Sequence, residues 1–193
     1  MAQLMTNDEY TSFMLDRART AILATVRADG RPHAAPIWFD LDGDTLVFTT
    51  GESTLKGRNM RLDARVSLCI DEEEPPFHFV LIEGLADLTA GDPDLLYWAT
   101  RIGGRYMGAD RADEYGRRNA VEGELLVRIE PQKIVAYKNI SALQHAPASP
   151  PLVGISACTC QLRSRMRPGS TVNYAVPFDS SEDTVNAGRS QRS

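Results

Sequence analysis

The feature that most constrains the fold is a series of short apolar segments joined by tight turns built around Asp-Gly. One turn has Asp29-Gly30 at its centre, and the next has Asp42-Gly43. Asp-Gly favours the two-residue turns that connect neighbouring antiparallel strands. The flanking segments have the length of strands and end in turn-forming residues. We therefore predict an antiparallel β fold of six or seven strands, drawn from residues 20–27, 33–40, 45–50, 65–71, 77–89, 124–130 and 133–138.

Helical patterns interrupt this meander at a few places. Thr6 and Glu9 have the spacing of a capping box at a helix N-terminus. Further helices are predicted at residues 55–62, 92–106 and 109–119. Gly84 lies inside the long strand, where a glycine is typical of a bulge or a barrel corner. The pattern predicts a mainly β fold with flanking helices, arranged as a small closed barrel without exposed strand edges.

The chain divides into an organised part and a low-complexity part. Residues 1–142 carry the strand and helix patterns, whereas residues 143–193 are rich in Ser and Pro and have no apolar periodicity. Such composition is typical of disordered segments. We predict one domain over residues 1–142 and a disordered tail over residues 143–193, and we place no function in the tail.

Composition excludes several classes of protein. The formal net charge is −5, and no basic stripe with interleaved aromatics suggests a nucleic-acid partner. The apolar stretches are far shorter than the roughly 20 residues of a membrane span. The N-terminus lacks the cationic and apolar regions of a signal peptide, which predicts a cytoplasmic location. Cys158 and Cys160 form a lone C-x-C without a second pair, so no metal site is expected.

The segment after the third strand carries the clearest chemical signal. Lys56 and Arg58 lie in the first turns of a predicted helix, where cations are ordinarily disfavoured because the helix N-terminus carries partial positive charge. The arrangement becomes favourable if an anion binds there. The alternative is a solvated surface helix. Neutral hydroxyl donors would come from Thr49, Thr50, Ser53 and Thr54.

Several runs, taken in order, resemble one known family. Residues 24–33, Ala-Thr-Val-Arg-Ala-Asp-Gly-Arg-Pro-His, resemble the opening hairpin of the pyridoxamine-5′-phosphate-oxidase-like superfamily. Residues 50–59, Thr-Gly-Glu-Ser-Thr-Leu-Lys-Gly-Arg-Asn, resemble its phosphate-binding segment, and residues 65–68 and 79–88 resemble the strands that follow. The resemblance covers roughly residues 8–140 and is closest to the flavin/deazaflavin oxidoreductase branch, many of whose members use coenzyme F420.

The resemblance implies a split β-barrel that forms a homodimer with two cofactor sites at the subunit interface. The cofactor phosphate would lie against Thr50, Ser53, Thr54, Lys56, Arg58 and Asn59, in the segment where Thr49 adds a hydroxyl. The tricyclic ring would lie near Val26, Pro36, Ile37 and Trp38. The partner subunit would cover the other side of the ring, with residues around Tyr106.

The implied function is oxidoreduction of an electron-poor, conjugated organic substrate by hydride transfer from reduced F420. Tyr106 is the candidate proton donor, with solvent as the alternative. No Arg-rich C-terminal segment matches the one that holds the substrate phosphate in pyridoxine-phosphate oxidases, which disfavours vitamin B6 chemistry. Three alternatives stay open: FMN as the cofactor, a non-catalytic protein that binds a flavin or haem, and a structural barrel with an empty site.

Overall fold

The computed structural model describes residues 2–141, so the predicted tail at residues 143–193 lies outside the described residues. The described part forms four α-helices: α1 (Asn7–Leu15), α2 (Leu55–Leu62), α3 (Leu95–Met107) and α4 (Ala112–Asn119). A 3-10 turn at Ala109–Arg111 precedes α4. The strands are β1 (Gln3–Leu4), β2 (Ala21–Val26), β3 (Pro32–Ile37), β4 (Asp40–Asp42), β5 (Thr45–Gly51), β6 (Arg65–Asp71), β7 (Phe79–Ala90) and β8 (Glu124–Lys138).

The sheet confirms the predicted fold class and corrects two of its details. Every strand pair is antiparallel, in the order β3-β2-β6-β7-β8-β5-β4, and β1 pairs with β8. Within the described residues the ladder does not close, because β3 and β4 end the path. There are eight strands there rather than six or seven. The short β1 and β4 were not predicted, since two or three residues are too few to show a period.

The last two predicted strands are one continuous strand. Glu83 of β7 pairs with Lys133 and Gly84 pairs with Pro131, so Gln132 is the extra residue of a β-bulge. The bulge accommodates Pro131, which has no N–H to give to a regular ladder. A Cβ at Gly84 would lie 2.6 Å from the Glu130 carbonyl oxygen, so only glycine allows this approach. The prediction of a bulge at Gly84 is therefore confirmed.

The hydrophobic core lies on the inner face of the sheet. Phe39, Phe48 and Met60 are among its largest fully buried side chains. Helix α1 covers part of this core with Tyr10, Phe13 and Met14. The predicted capping box is present: Glu9 N donates to Thr6 Oγ1 at 3.3 Å, and Thr6 N donates to Glu9 Oε2 at 3.0 Å.

Helix α3 packs on the other side of β5 and β8. Leu95 and Trp98 of α3 form a second cluster with Val47 and Leu126. These two strands are therefore covered on both sides.

The outer face of β2, β3, β6 and β7 carries a cluster of exposed apolar side chains beside the charged Glu83, and we call this apolar cluster the open face. Pro36, Ile22, Cys69 and Leu81 are successive cross-strand partners and form one row across the four strands. Ile22 is 41% exposed and Leu81 is 37% exposed. The open face comprises Ile22, Val26, Ala34, Pro36, Cys69, Leu81 and Leu85.

Candidate cofactor-binding site

The junction between β5 and α2 is held by one side chain. Thr54 is the N-cap of α2, and its hydroxyl accepts a hydrogen bond from Gly57 N at 3.1 Å. The same hydroxyl donates to the Gly51 carbonyl at 2.8 Å. A Cβ at Gly57 would lie 2.7 Å from the Gly51 carbonyl oxygen, so the helix approaches the loop closely only because residue 57 is glycine.

Two of the predicted hydroxyl donors belong to this cap. Thr50 is buried, and its hydroxyl lies 3.1 Å from that of Thr54. Because the Thr54 proton is given to Gly51, the Thr50 hydroxyl is the donor in that pair. Both hydroxyls are thus engaged within the junction. Thr49 points to the opposite face of β5 from Thr50, since neighbouring strand residues alternate in direction, whereas Ser53 is exposed at the loop.

The two predicted cations, Lys56 and Arg58, both lie in the first turns of α2. Arg58 Nη1 donates to the Ser53 carbonyl, which folds the guanidinium back over the loop. Lys56 is half-buried and acts electrostatically on Glu124, the first residue of β8. Burial raises the pKa of the Glu124 carboxyl, and the nearby Lys56 opposes that rise. The junction therefore combines two cations and one half-buried carboxyl group.

Asn59 anchors α2 to the sheet. Its side chain is 2% exposed, and Nδ2 donates to Thr25 Oγ1 at 3.0 Å. Thr25 is also buried, and its Oγ1 atom lies 3.3 Å from His33 Nδ1. These contacts place the second turn of α2 beside the end of β2, where Val26 is exposed on the open face. The structure thus connects Asn59 to Thr25, the residue that precedes Val26 in β2.

The ring-contact residues predicted on β3 do not share one surface. Pro36 lies on the open face, whereas the Ile37 side chain is 5% exposed and belongs to the core. Trp38 follows Ile37, which pairs with Ala21 at the opposite end of the hairpin from Val26. Only Val26 and Pro36 therefore offer side chains to a ligand on the open face.

Tyr106 lies beside Trp38, at the C-terminal end of α3. Its hydroxyl donates to the Arg19 carbonyl and accepts from Phe39 N at 3.2 Å. Burial raises the pKa of this phenol. The single hydroxyl proton is thus held by a backbone carbonyl, which gives Tyr106 a structural role, and its assignment as a proton donor stays a prediction.

Sequence reasoning missed Thr25 and Glu124. Thr25 precedes a predicted ring-contact residue and resembles any inward-facing strand residue. Glu124 is the first residue of β8 and lies 73 positions after Gly51, its cross-strand partner in β5. Only the pairing of β5 with β8 brings that carboxyl group to the junction, and no local motif predicts this pairing.

The chemistry of the donor set fits a phosphate group. A helix N-terminus carries partial positive charge and backbone N–H groups beyond those that its cap satisfies. Lys56 and Arg58 add full charges in the first turn. Among residues 2–141, no group of three or more His, Cys, Asp or Glu side chains is arranged to hold a metal ion. No helix in the same range is long and apolar enough to cross a membrane.

Solved structures with similar folds include proteins of different descriptions. A conserved hypothetical protein from Mycobacterium tuberculosis is 23% identical, with a TM-score of 0.63, over 76% of this chain and 94% of that one. A protein described as an F420 reductase is 27% identical, with a TM-score of 0.50, over 64% of this chain and 94% of that one. The haem storage protein of Vibrio cholerae is 20% identical, with a TM-score of 0.55, over 68% of this chain and 96% of that one.

A family profile gives the assignment. The profile of pyridoxamine 5′-phosphate oxidase matches residues 6–137, which spans the described helices and nearly all of the sheet. The chain shares its fold with the proteins above, which include one described as an F420 reductase and one described as a haem storage protein. The chain therefore belongs to the pyridoxamine 5′-phosphate oxidase family.

Proposed function

We propose that this protein is an oxidoreductase that binds the deazaflavin F420 and reduces an electron-poor, conjugated organic substrate. The observation that carries the proposal is the β5–α2 junction, where Lys56 and Arg58 stand at a helix N-terminus closed by Thr54. The fold similarity to a protein described as an F420 reductase, at 27% identity, supports the choice of cofactor.

The junction would hold the ribityl phosphate. Lys56 and Arg58 supply positive charge, and the helix N-terminus adds oriented N–H groups. Thr50 and Thr54 keep the loop in place rather than contacting the phosphate, since their hydroxyls are engaged with each other. The close packing of Gly57 on Gly51 fixes the direction of α2 toward the ligand.

The ring would lie on the open face beside Val26 and Pro36. When bound, reduced F420 supplies the hydride, and the protein contributes binding, orientation and shielding from water. Val26 and Pro36 offer exposed apolar contacts. Ile37 packs in the core and Trp38 stacks on Tyr106, so both would support the ring site indirectly. The proton comes from solvent, because the Tyr106 hydroxyl is held by the Arg19 carbonyl.

A homodimer is part of this proposal. The open face presents a row of four apolar or small side chains, from Pro36 through Ile22 and Cys69 to Leu81. Contiguous exposed apolar surface of this kind is typical of protein interfaces. A second copy seated on the open face would bury this row and enclose a ring bound beside Val26.

FMN is the second candidate cofactor, because the same junction would hold its phosphate. The test is an equilibrium titration of purified, cofactor-free protein with oxidised F420 and, separately, FMN, followed by fluorescence. Turnover of reduced F420 is then measured with a panel of enones and quinones. We expect tight F420 binding, weaker FMN binding and turnover with at least one acceptor.

Two variants make the titration specific for the junction. Lys56→Ala should weaken F420 binding by about tenfold to a hundredfold, as expected for the loss of a charge-assisted hydrogen bond. Lys133→Ala is the matched control, since Lys133 is 61% exposed on β8 and pairs with Glu83. An unchanged affinity in Lys56→Ala would reject the phosphate site. Tighter FMN binding would favour the FMN enzyme, and binding of a flavin or haem without turnover would favour a storage protein.

A further inference from the structure

Glu124 is positioned to face whatever binds at the β5–α2 junction. It is the cross-strand partner of Gly51, and Glu52 N donates to the Gly123 carbonyl at 2.8 Å. The start of β8 is therefore tied to the loop that precedes α2. Glu124 Oε1 lies 3.7 Å from the position that a Cβ of Gly51 would occupy, so the carboxyl group lies against the backbone of this loop.

The carboxyl group of Glu124 is incompletely satisfied. Its Oε2 is buried and has no hydrogen-bond partner within the residues that the structure describes. An unpaired buried acceptor is unfavourable unless something else compensates it. Lys56 provides a favourable charge nearby, and burial of the carboxyl group works against ionisation. The group is therefore poised beside the cation that the proposed phosphate would also use.

The other acidic group of the loop is already neutralised. Glu52 is exposed, and its Oε2 atom lies 3.2 Å from Nη2 of Arg61, in the last turn of α2. Of the described residues that the structure places at this loop outside the Glu52–Arg61 pair, Lys56, Arg58 and Glu124 carry charge. Two cations and one carboxylate leave a single net positive charge, which matches a ligand that carries one negative charge.

We propose that Glu124 is a specificity residue that favours a phosphodiester, with one negative charge, over a terminal phosphomonoester, with two. This inference rests on the proposed function. The phosphate of F420 is esterified on both sides and carries one charge. The phosphate of FMN is terminal and carries close to two charges at pH 8, because its second pKa is near 6. The second charge would be repelled by the Glu124 carboxylate or would force it to take up a proton.

The test compares ligands with and without their phosphate. The affinity for FMN is divided by the affinity for riboflavin, which gives the FMN ratio. The affinity for F420 is likewise divided by that for the same ribityl deazaflavin without its phosphate, which gives the F420 ratio. Differences in ring binding cancel in both ratios. Each ligand is titrated at pH 8 against the full-length wild type, Glu124→Gln and Glu122→Gln. Glu122 is the matched control, because it is exposed two residues before Glu124. Glu124→Ala repeats the measurement without the hydrogen bonds of the introduced amide.

We expect Glu124→Gln to strengthen FMN binding relative to riboflavin by about tenfold, because the dianionic phosphate no longer faces a carboxylate charge across partly solvated space. The F420 ratio should rise by only about threefold, since its phosphate carries half that charge, and Glu122→Gln should change neither ratio. If F420 still binds through Lys56 but the FMN ratio is unchanged in both Glu124 variants, the specificity role is overturned and the proposed function stands. If the wild type binds neither phosphate-bearing ligand, the proposed function fails and the inference fails with it.

Discussion

The ring of Tyr106 lies parallel to the indole of Trp38, with the ring centroids 4.8 Å apart and the planes inclined by 8°. The Tyr106 hydroxyl bridges two backbone segments, as donor to Arg19 O and acceptor from Phe39 N. Tyr106 thus connects α3 to the residues before β2 and after β3. This relationship makes the stack part of the scaffold at the end of the hairpin where β2 begins and β3 ends.

The role of Tyr106 can be tested by removing only its hydroxyl. Tyr106→Phe should lower the free energy of unfolding by about 1–3 kcal/mol, because two buried backbone groups lose their partner. The rate of substrate reduction at saturating substrate should stay within about twofold, since solvent supplies the proton. Tyr97→Phe is the control, on the exposed side of α3. A large fall in kcat with unchanged stability would instead make Tyr106 the proton donor.

The hydrogen bond between Asn59 and Thr25 predicts an energetic coupling between α2 and β2. Asn59→Ala and Thr25→Val should each destabilise the protein, since each leaves a buried partner unsatisfied. The double variant should lose less than the sum of the two, with a coupling energy of about 1 kcal/mol in a double-mutant cycle. Chemical denaturation measures all four proteins. Additive effects would show that the 3.0 Å contact contributes little.

The pair between Asp92 and Arg128 predicts a loss of stability in acid. The hydrogen bond from Arg128 holds the pKa of Asp92 below its ordinary value. A lowered folded-state pKa favours the ionised carboxylate, so the stabilisation is present at neutral pH and is lost as pH falls through that folded-state value. Asp92→Asn should lower Tm at pH 7 and have a progressively smaller effect as the pH is lowered below the ordinary carboxyl pKa. Asp113→Asn, in an exposed pair with Arg117, should leave Tm unchanged throughout this pH range.

Glu124 predicts the opposite dependence on pH. Burial raises the pKa of this carboxyl above its ordinary value, so the folded protein favours the protonated form. The corresponding stability is present below the ordinary pKa and is lost as pH rises through the folded-state value. Glu124→Gln should therefore raise Tm at pH 8 by about 2–6 °C and make little difference at pH 4. Equal Tm values at pH 8 would contradict an unfavourable buried charge.

The open face predicts the oligomeric state. Leu81→Lys places a charge at the β7 end of the Pro36–Ile22–Cys69–Leu81 row. It should weaken dimerisation by at least about tenfold, because a buried lysine would lose its hydration. Leu96→Lys is the control, since Leu96 is 52% exposed on α3. Sedimentation over a range of concentrations measures both, and a wild type that stays monomeric throughout would contradict the proposed interface.

Much of the fold was predictable because its signals are local. Asp-Gly turns, the Thr6–Glu9 capping box and the glycine at position 84 each act over a few residues. The continuity of β8 was not predictable, because Pro131 is tolerated only through its cross-strand contact with β7. Closure of the ladder was also a wrong expectation, since strand count alone does not determine which edges pair.

The candidate site divides in the same way. Lys56 and Arg58 were predicted together because they stand within one segment after β5, and their role stays a prediction. Asn59 belongs to that segment too, yet the packing of α2 turns its side chain to Thr25. Ile37 and Trp38 follow Pro36 directly in sequence. Strand alternation turns the Ile37 side chain into the core, and Trp38 lies beyond the end of β3. Glu124 was missed because its neighbours are distant in sequence.

The saturated cap at Thr54 has a consequence for how a ligand would associate. Its hydroxyl already has three partners, in Thr50, Gly51 and Gly57. The loop consequently has little conformational freedom left to lose, and preorganised sites bind with a smaller entropic penalty. Changes around this cap should therefore act mainly on how long a ligand stays bound rather than on how fast it arrives.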